Sequence, residues 1–276
     1  MPTKHQILVK VNTNVNSSHA ETDAVARSPA ADSEASTKVA RSARVLPLKA
    51  FAQAPSRTQS DVRSRSGARA RTDRIAYEAV KRIIDLAIGL PLLLIATPII
   101  LVSALAIRLD TKGAPFFIQT RLGMNGRPFK IVKLRGMFID SRTRFASYYD
   151  YAKHTDLEFY FHHEEDPRIT RAGKFMRRMS IDELPNLWNV VRGEMSLVGP
   201  RPEIPELLPL YGHHREQYLS VKPGVTCLSK CTGRDRLTKR ETIDFDLTYI
   251  RDRCLGLDFR ILWRTFRGVV LRRDVF

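Results

Sequence analysis

The sequence lacks several of the features that identify common classes of protein. It has three cysteines among 276 residues, too few for a small domain held together by disulfides. The cysteines form no C-x-x-C pair, so they predict reduced thiols and not a zinc site. The chain also has no G-x-x-x-x-G-K-[ST] loop and no G-x-G-x-x-G turn, so neither ATP nor dinucleotide binding is indicated.

Acidic residues are scarce as well, with 29 Asp and Glu against 46 Lys and Arg and a formal net charge of +17. Such an excess predicts a polyanionic neighbour, which is nucleic acid, an anionic membrane surface or a phosphorylated substrate. Charge alone does not choose among these three. The hydrophobic share of 43% excludes a chain that is disordered throughout.

Residues 1–72 differ in composition from the rest of the chain. They are rich in Ala, Ser, Thr and Arg and have no sustained apolar periodicity. A segment of this kind buries too little apolar surface to offset the entropy lost on ordering. We therefore predict a disordered basic tail over 1–72, which either lies on anionic lipid or serves as a solubilising linker.

One long apolar run follows, the 22 residues from Leu86 to Ile107, which include no charged side chain. A helix of that length spans about 33 Å, enough for a hydrocarbon core of about 30 Å. Pro98 lies near its middle, and basic residues flank both ends, where the positive-inside rule predicts cytoplasm. These features fit either a helix that breaks at Thr97-Pro98 and returns, or a tilted crossing.

The region after this run predicts a mixed, mostly helical α+β domain. The stretch FFIQTRLGMNGRPFKIVKLRGM predicts a β-hairpin with its turn between Gly123 and Gly126. Apolar residues at helical spacing predict amphipathic helices at Ser141–His162, Arg171–Arg178, Pro185–Arg192, Pro205–Val221, Thr242–Cys254 and Leu257–Leu271.

Asp182 and Glu183 are adjacent carboxylates among many arginines, a pattern that suits phosphate chemistry. The same residues belong to Ser180-Ile181-Asp182-Glu183, which matches the S-x-x-E capping box at the start of a helix. Pro185 complicates a simple cap, because proline is favoured at the first helical position and not several residues later. A bent helix start that exposes Asp182 is therefore the alternative to a cap.

Two basic elements accompany this pair. Arg201 lies between Pro200 and Pro202, which suits either rigid recognition of phosphate or a plain proline-bounded turn. Lys133 and Arg135 lie two residues apart at the end of a strand, so they share one face, as residues on a solvated strand also do. Together with the membrane segment, these clusters predict that phosphates are handled at a lipid surface.

These residues carry a resemblance that covers the chain from about Lys81 to Phe276. The motifs are KIVKLRGM, DPRITRAGKFMRR, S-x-DELPNLWNVVRGEMSLVGPRP, KPGVT and LDFRILWRTF. Together they resemble the bacterial sugar transferase family, the monotopic phosphoglycosyl transferases of capsule and exopolysaccharide assembly. The resemblance implies transfer of a sugar-1-phosphate from a nucleotide diphosphate sugar, expected to be a UDP-sugar, to undecaprenyl phosphate, with release of a nucleoside monophosphate.

The resemblance also implies roles for individual residues. Asp182 matches the family nucleophile, which forms a covalent phosphosugar intermediate, and Glu183 matches its partner at a magnesium-dependent site. Both carboxylates are therefore expected to hold Mg²⁺. The phosphate-binding residues that it implies are Lys133, Arg135, Arg177, Arg201 and Arg234.

The family pattern further implies a sugar transferase domain over 73–276. Its re-entrant membrane helix would lie at about 83–109, and its cytoplasmic catalytic region, with amphipathic helices at the membrane surface, at 110–276. The expected location is the bacterial inner membrane, with the catalytic domain on the cytoplasmic side. The expected partners are a nucleotide sugar, undecaprenyl phosphate, membrane lipids and downstream glycosyltransferases, without nucleic acid.

Two other functions are considered. A membrane-tethered basic scaffold that binds anionic lipid or nucleic acid predicts binding that weakens steeply with salt and does not depend on Asp182. A different phosphotransferase or phosphatase that acts on a lipid phosphate would share most of the same residues and differ in its donor.

Overall fold

The computed structural model of the chain describes residues 67–149, 157–160, 166–233 and 236–271. Its α-helices are α1 (Gly67–Asp110), α2 (Ser141–Arg144), α3 (Arg171–Arg178), α4 (Leu187–Arg192), α5 (Arg215–Leu219), α6 (Leu228–Thr232), α7 (Lys239–Asp252) and α8 (Leu255–Leu271). The strands are β1 (Phe116–Leu122), β2 (Pro128–Leu134), β3 (Ser196–Val198) and β4 (Gly224–Thr226). Short 3₁₀ segments lie at Met124–Gly126, Ala146–Tyr149, Ile181–Asn186 and Pro205–His214. The predicted mostly helical α+β class is confirmed.

Helix α1 is helical from Gly67 to Asp110, through both Pro91 and Pro98. The membrane-embedded part predicted at about 83–109 lies within α1, and residues 67–72, at the end of the predicted tail, are helical. The remainder of that predicted tail lies outside the described residues. At the predicted break the helix continues, and the Thr97 hydroxyl donates to the Leu93 carbonyl at 2.8 Å. The re-entrant path stays a prediction.

The two sides of α1 differ in what they contact. Lys81, Asp85, Ala96, Ile100 and Ile107 are buried, and their spacing places them on one face of the helix. The other side exposes large apolar side chains at the level of the uncharged run. Within the described residues, α1 is the one helix long and apolar enough to cross a membrane, and 22% of its most apolar window is buried.

The predicted β-hairpin is confirmed. Strands β1 and β2 pair antiparallel, with Phe116 opposite Leu134 and Leu122 opposite Pro128. Asn125 in the turn has φ 60°, a left-handed conformation that asparagine tolerates better than most residues. Ile131 and Leu134 of β2 are buried in the core, so this strand anchors the hairpin to the domain.

A second, parallel pair, β3 and β4, was not predicted. Ser196 lies opposite Gly224 and Val198 opposite Thr226, and a 25-residue crossover, which includes the segment Pro205–His214 and α5, joins the two strands. A Cβ at Gly224 would lie 2.1 Å from the Gly199 nitrogen, so this close approach requires glycine. Strands of three residues are too short to give a periodic signal in the sequence.

The helix predictions vary in accuracy. Arg171–Arg178 is confirmed, whereas the helix predicted over Ser141–His162 is wrong, because α2 ends at Arg144 and residues 157–160 are not helical. The region predicted as Pro205–Val221 divides into a 3₁₀ segment and α5. Helices α7 and α8 begin two or three residues before the predicted starts, and a capping box of Thr238 and Glu241 fixes the start of α7.

Candidate active site

An open cavity of about 350 Å³ lies where the hairpin, the Ile181–Asn186 segment and the start of α6 meet. Its walls combine cationic, carboxylate, amide and apolar side chains. The lining residues are Arg121, Ile131, Lys133, Glu183, Asn186, Met195, Arg201, Pro202, Gly224, Val225 and Cys227. Lys133, Glu183 and Arg201, predicted from the sequence as site residues, therefore share one cavity.

The carboxylate pair lies at the start of a 3₁₀ segment and not at a capped α-helix. Ser180 makes no capping hydrogen bond through its side chain and has φ 55°, the left-handed region that non-glycine residues rarely adopt. The capping-box interpretation is therefore wrong. Backbone strain of this kind is concentrated at functional sites. The bent start that Pro185 suggested is the arrangement found, because the 3₁₀ segment includes that proline.

Glu183 is held by cations on both of its carboxylate oxygens. Lys133 Nζ donates to Oε1 at 2.8 Å, and Lys230 Nζ donates to Oε2. Arg201 Nη1 lies 3.9 Å from Oε1. Burial opposes ionisation, but the charges of Lys133 and Lys230 outweigh it and hold the pKa of Glu183 well below its ordinary value. Glu183 is therefore a fixed anion that positions two ammonium groups.

Asp182 is in a different situation, although it is the adjacent residue. Its half-buried carboxylate has no hydrogen bond or ion pair with any residue that the structure describes. Burial and the negative charge of Glu183 raise the pKa of Asp182, and the charges of Lys133 and Lys230 oppose the rise. A carboxylate with a raised pKa and free oxygens is more basic, and so more nucleophilic, than an ordinary aspartate.

The turn that carries Arg201 is fixed by hydrogen bonds to its backbone. Tyr218 Oη donates to the Arg201 carbonyl, and Arg121 Nη1 donates to the Pro202 carbonyl at 2.9 Å. These bonds and the two prolines limit the freedom of the turn, while the Arg201 side chain stays 40% exposed. The predicted rigid presentation of this arginine fits the geometry.

The remaining predicted phosphate-binding residues have different positions. Arg177 lies at the end of α3 beside Gly136, and its charge helps to oppose the raised pKa of Asp182. Arg135 points elsewhere, because its guanidinium donates to the carbonyls of Thr111 and Lys112 at the end of α1. The structure therefore gives Arg135 a structural contact and does not bring it to Glu183. Arg234 lies outside the described residues.

Sequence reasoning missed three residues of this site, of which Arg121 and Asn186 line the cavity and Lys230 lies beside it. Lys230 contacts Glu183 from α6, and Arg121 contacts the Pro202 carbonyl from β1. Asn186 is buried in the cavity wall, and its Oδ1 has no hydrogen-bond partner among the described residues. A single Lys, Arg or Asn without a motif carries no signal, and only the packing of distant elements brings them to the carboxylates.

The donor set bears on the expected magnesium ion. Among the described residues, no group of three His, Cys, Asp or Glu side chains is close enough to hold a metal by itself. Mg²⁺ typically binds one or two carboxylates, and substrate phosphates and water complete its coordination. Asp182 has free oxygens, so it fits a metal ion that arrives with a diphosphate, whereas both Glu183 oxygens already accept hydrogen bonds from lysines.

Comparison with known proteins agrees with the motifs. The model of the bacterial sugar transferase family matches residues 76–272, and the chain belongs to this family. It is 39% identical over 197 residues to the UDP-galactose-lipid carrier transferase of Erwinia amylovora, which covers 71% of this chain and 41% of that protein. It is 39% identical over 209 residues to the undecaprenyl-phosphate glucose phosphotransferase of Komagataeibacter xylinus. That match covers 71% of this chain and 37% of that protein.

A shorter relative matches over most of its length. The exopolysaccharide production protein ExoY of Sinorhizobium fredii is 33% identical over 204 residues, which cover 71% of this chain and 88% of that protein. The chain thus spans about two fifths of the first two relatives and most of the third. The family resemblance predicted from the sequence is confirmed.

Proposed function

We propose that the protein is a phosphoglycosyl transferase that moves a sugar-1-phosphate from a nucleotide diphosphate sugar to undecaprenyl phosphate. The names of two relatives support this proposal. One is named as a lipid carrier transferase, and the other is named as an undecaprenyl-phosphate glucose phosphotransferase. The observation that carries it is the free Asp182 carboxylate beside a fixed cluster of Lys133, Lys230 and Arg201. A UDP-sugar is the donor that we expect, since the first relative is named for UDP-galactose.

The reaction has two displacements at the same phosphorus atom. An Asp182 oxygen attacks the phosphorus that bears the sugar, and the bond to the nucleoside monophosphate breaks, so that product leaves with the electron pair. A phosphate oxygen of undecaprenyl phosphate then attacks the aspartyl phosphosugar, and the Asp182–phosphorus bond breaks. The lipid diphosphate sugar leaves, and the carboxylate is regenerated.

The cations have a defined task in both steps. Each displacement brings an anion toward a phosphate that is already negative, and fixed positive charge lowers the cost of that approach. Lys133 and Lys230 are held by Glu183, so their ammonium groups do not need to reorganise during the reaction. Mg²⁺, held by Asp182 together with the diphosphate, would neutralise further charge on the donor.

The apolar surface of α1 supports membrane attachment. Leu94, Ile95 and Val102 are 67%, 65% and 70% exposed, which is unfavourable in water and favourable in lipid. Helix α8 exposes a stripe of Phe259, Trp263 and Phe266, side chains suited to the headgroup boundary. We place the protein at the cytoplasmic face of the bacterial inner membrane on a re-entrant α1, where undecaprenyl phosphate, membrane lipids and downstream glycosyltransferases would meet it.

Trapping with donor alone tests this proposal. Purified protein is incubated with a panel of nucleotide sugars without the lipid acceptor, digested and examined by mass spectrometry. We expect a sugar phosphate on the peptide that contains Asp182 and release of one nucleoside monophosphate per active protein. Asp244→Asn, a change at an exposed residue of α7, serves as the matched control and should still form the adduct.

Two results would contradict the assignment. Full transfer by Asp182→Asn would show that this carboxylate is not the nucleophile. An adduct on another residue of an active preparation would keep the reaction class and move the nucleophile elsewhere.

A further inference from the structure

A second cavity lies between the start of α1, the start of β3 and the end of α7. It encloses about 340 Å³ of space that opens to solvent. Val221, Lys222 and Ser196 line it, whereas their neighbours Gly224, Val225 and Met195 line the candidate active site. Both cavities thus lie beside the β3–β4 pair, and they share no lining residue. We call the second one the Lys222 cavity.

Four of the ten residues that line the Lys222 cavity are basic and two, Glu78 and Asp85, are acidic, and most of the basic side chains are already bonded. Lys81 Nζ contacts Asp258 at 2.8 Å, and Arg82 donates to the carbonyls of Val190 and Val191 at 2.6 and 2.8 Å. Arg253 donates to the Ile250 carbonyl. These three cations are therefore held in place by protein contacts, and Asp258 offsets the charge of Lys81.

Lys222 is the exception in this wall. Its half-buried ammonium group has no hydrogen bond or ion pair with any residue in the described ranges. Burial and the charge of Arg82 lower the pKa of Lys222, so its surroundings disfavour the cation. The charges of Asp85 and Glu78 oppose this shift without outweighing it, and the Asp85 carboxylate already accepts hydrogen bonds from Ser196 and from the Leu197 amide. An anion in the cavity would supply the missing partner.

The position along α1 indicates which anion is available. Asp85 lines the cavity, and the uncharged run begins at the next residue, Leu86. If α1 enters the membrane as proposed above, this cavity lies at the level where lipid phosphates are found. Anionic phospholipids attract basic groups at that depth.

We propose that the Lys222 cavity binds the phosphate of an anionic phospholipid, with Lys222 as its direct ion-pair partner. The site is separate from the catalytic one, and its occupant is a structural or activating lipid and not a substrate. The proposal rests on the membrane placement given under the proposed function. It does not rest on the transfer reaction.

Calorimetry on the full chain in a neutral detergent tests it. The probes are short-chain phosphatidylglycerol, short-chain phosphatidylcholine and inorganic phosphate. We expect phosphatidylglycerol to bind more tightly than phosphatidylcholine, and Lys222→Ala to weaken it at least about tenfold, as loss of a charge-assisted bond predicts. Lys222→Arg should retain binding, and Lys130→Ala, at an exposed lysine of β2, should leave it unchanged.

The outcomes separate this inference from the proposed transfer. Asp182→Asn should bind phosphatidylglycerol as the unaltered chain does, so loss of catalysis leaves the result intact. Inorganic phosphate binding that depends on Lys222, without preference for the lipid, supports a phosphate site and identifies the free anion as its source. Equal binding by Lys222→Ala and the unaltered chain would overturn the proposal, provided that circular dichroism shows the variant to be folded.

Discussion

Two buried clusters of lysine and glutamate lie in this domain, and they differ in the balance between cations and carboxylates. In the candidate site, Glu183 and Asp182 face Lys133, Lys230 and Arg201, so cations outnumber carboxylates. In the core, Glu203 binds Lys239 and lies 3.9 Å from Arg121, beside the fully buried Asp246, so cations and carboxylates are equal in number. We call these the site cluster and the core cluster.

The difference in charge follows the difference in exposure. The site cluster opens to a cavity, where surplus positive charge can meet phosphate. The core cluster is sealed, with Lys239 1% exposed and its ammonium 4.8 Å from the ring centroid of Tyr211. Burial raises the pKa of Asp246 to about 7, so below that pH a proton, and not a ligand, neutralises this carboxylate. The same residue types thus serve binding in one cluster and packing in the other.

The comparison is tested most severely by exchanging one carboxylate for an amide in each cluster. Asp182→Asn should reduce transfer by at least about 10³-fold, because it removes the nucleophile. Asp246→Asn should retain most of the activity. Release of nucleoside monophosphate from a nucleotide sugar measures both. Comparable losses in the two variants would show that the core cluster also takes part in the reaction.

Removing the lysine of the core cluster should mainly affect stability. Lys239→Met removes the lysine that binds the buried Glu203 and leaves only the more distant Arg121 contact, and the free energy of unfolding should fall by about 3–5 kcal/mol. Denaturation of the detergent-solubilised chain, followed by circular dichroism, measures this change. Arg240→Met, at the adjacent exposed pair with Glu158, is the control and should cost less than about 1 kcal/mol.

The equivalent change in the site cluster should mainly affect rate. Lys230→Met leaves Glu183 bonded to Lys133, so the fold is retained. Loss of one fixed cation beside the reacting phosphate should slow transfer about 10- to 100-fold. Steady-state kinetics and the melting temperature, measured on the same preparation, separate the two effects. A large fall in melting temperature with normal kinetics would contradict this division.

A rise in pH should increase activity through the site cluster and decrease stability through the core cluster. Asp182 reacts as the anion, so activity should rise with pH, and its raised pKa moves this rise above the range of an ordinary aspartate. Asp246 binds its proton more tightly in the folded state, with a pKa of about 7, than in the unfolded state. Its contribution to stability is therefore greatest below about pH 4, the unfolded pKa, and is lost as pH rises to its folded pKa.

Melting curves across this pH range test the second half of that prediction. Asp246→Asn should make stability less dependent on pH between the two pKa values, whereas Asp244→Asn should preserve the slope. An unchanged slope in Asp246→Asn would assign the pH dependence to other groups.

The smallest effect is expected at Arg135, which the resemblance assigned to phosphate and the structure places at the end of α1. Arg135→Lys removes part of its contact with the carbonyls of Thr111 and Lys112 and should cost about 1–2 kcal/mol of stability. The KM for the nucleotide sugar should stay within about twofold. A tenfold rise in KM without loss of stability would restore the phosphate-binding role.

The accuracy of the sequence-based predictions depends on how local each feature is. The hairpin and helix α3 follow from neighbouring residues, and both have the predicted bounds or nearly so. The predicted helix over Ser141–His162 is wrong. Its apolar residues recur at helical spacing, but the helix that begins at Ser141 ends at Arg144. The β3–β4 pair was missed because each strand is short and its partner lies 28 residues away in the chain.

The sequence by itself determined the apolar segment of α1 and the carboxylate pair, because burial in lipid and the presence of a motif depend on consecutive residues. Only the tertiary structure decided that Glu183 is bound by two lysines while Asp182 is left free. Lys133 and Lys230 come from elements about 50 residues away on either side, and the left-handed Ser180 sets the direction in which the two carboxylates leave the backbone. Adjacent residues of similar chemistry acquire different charge environments only when the chain has folded around them.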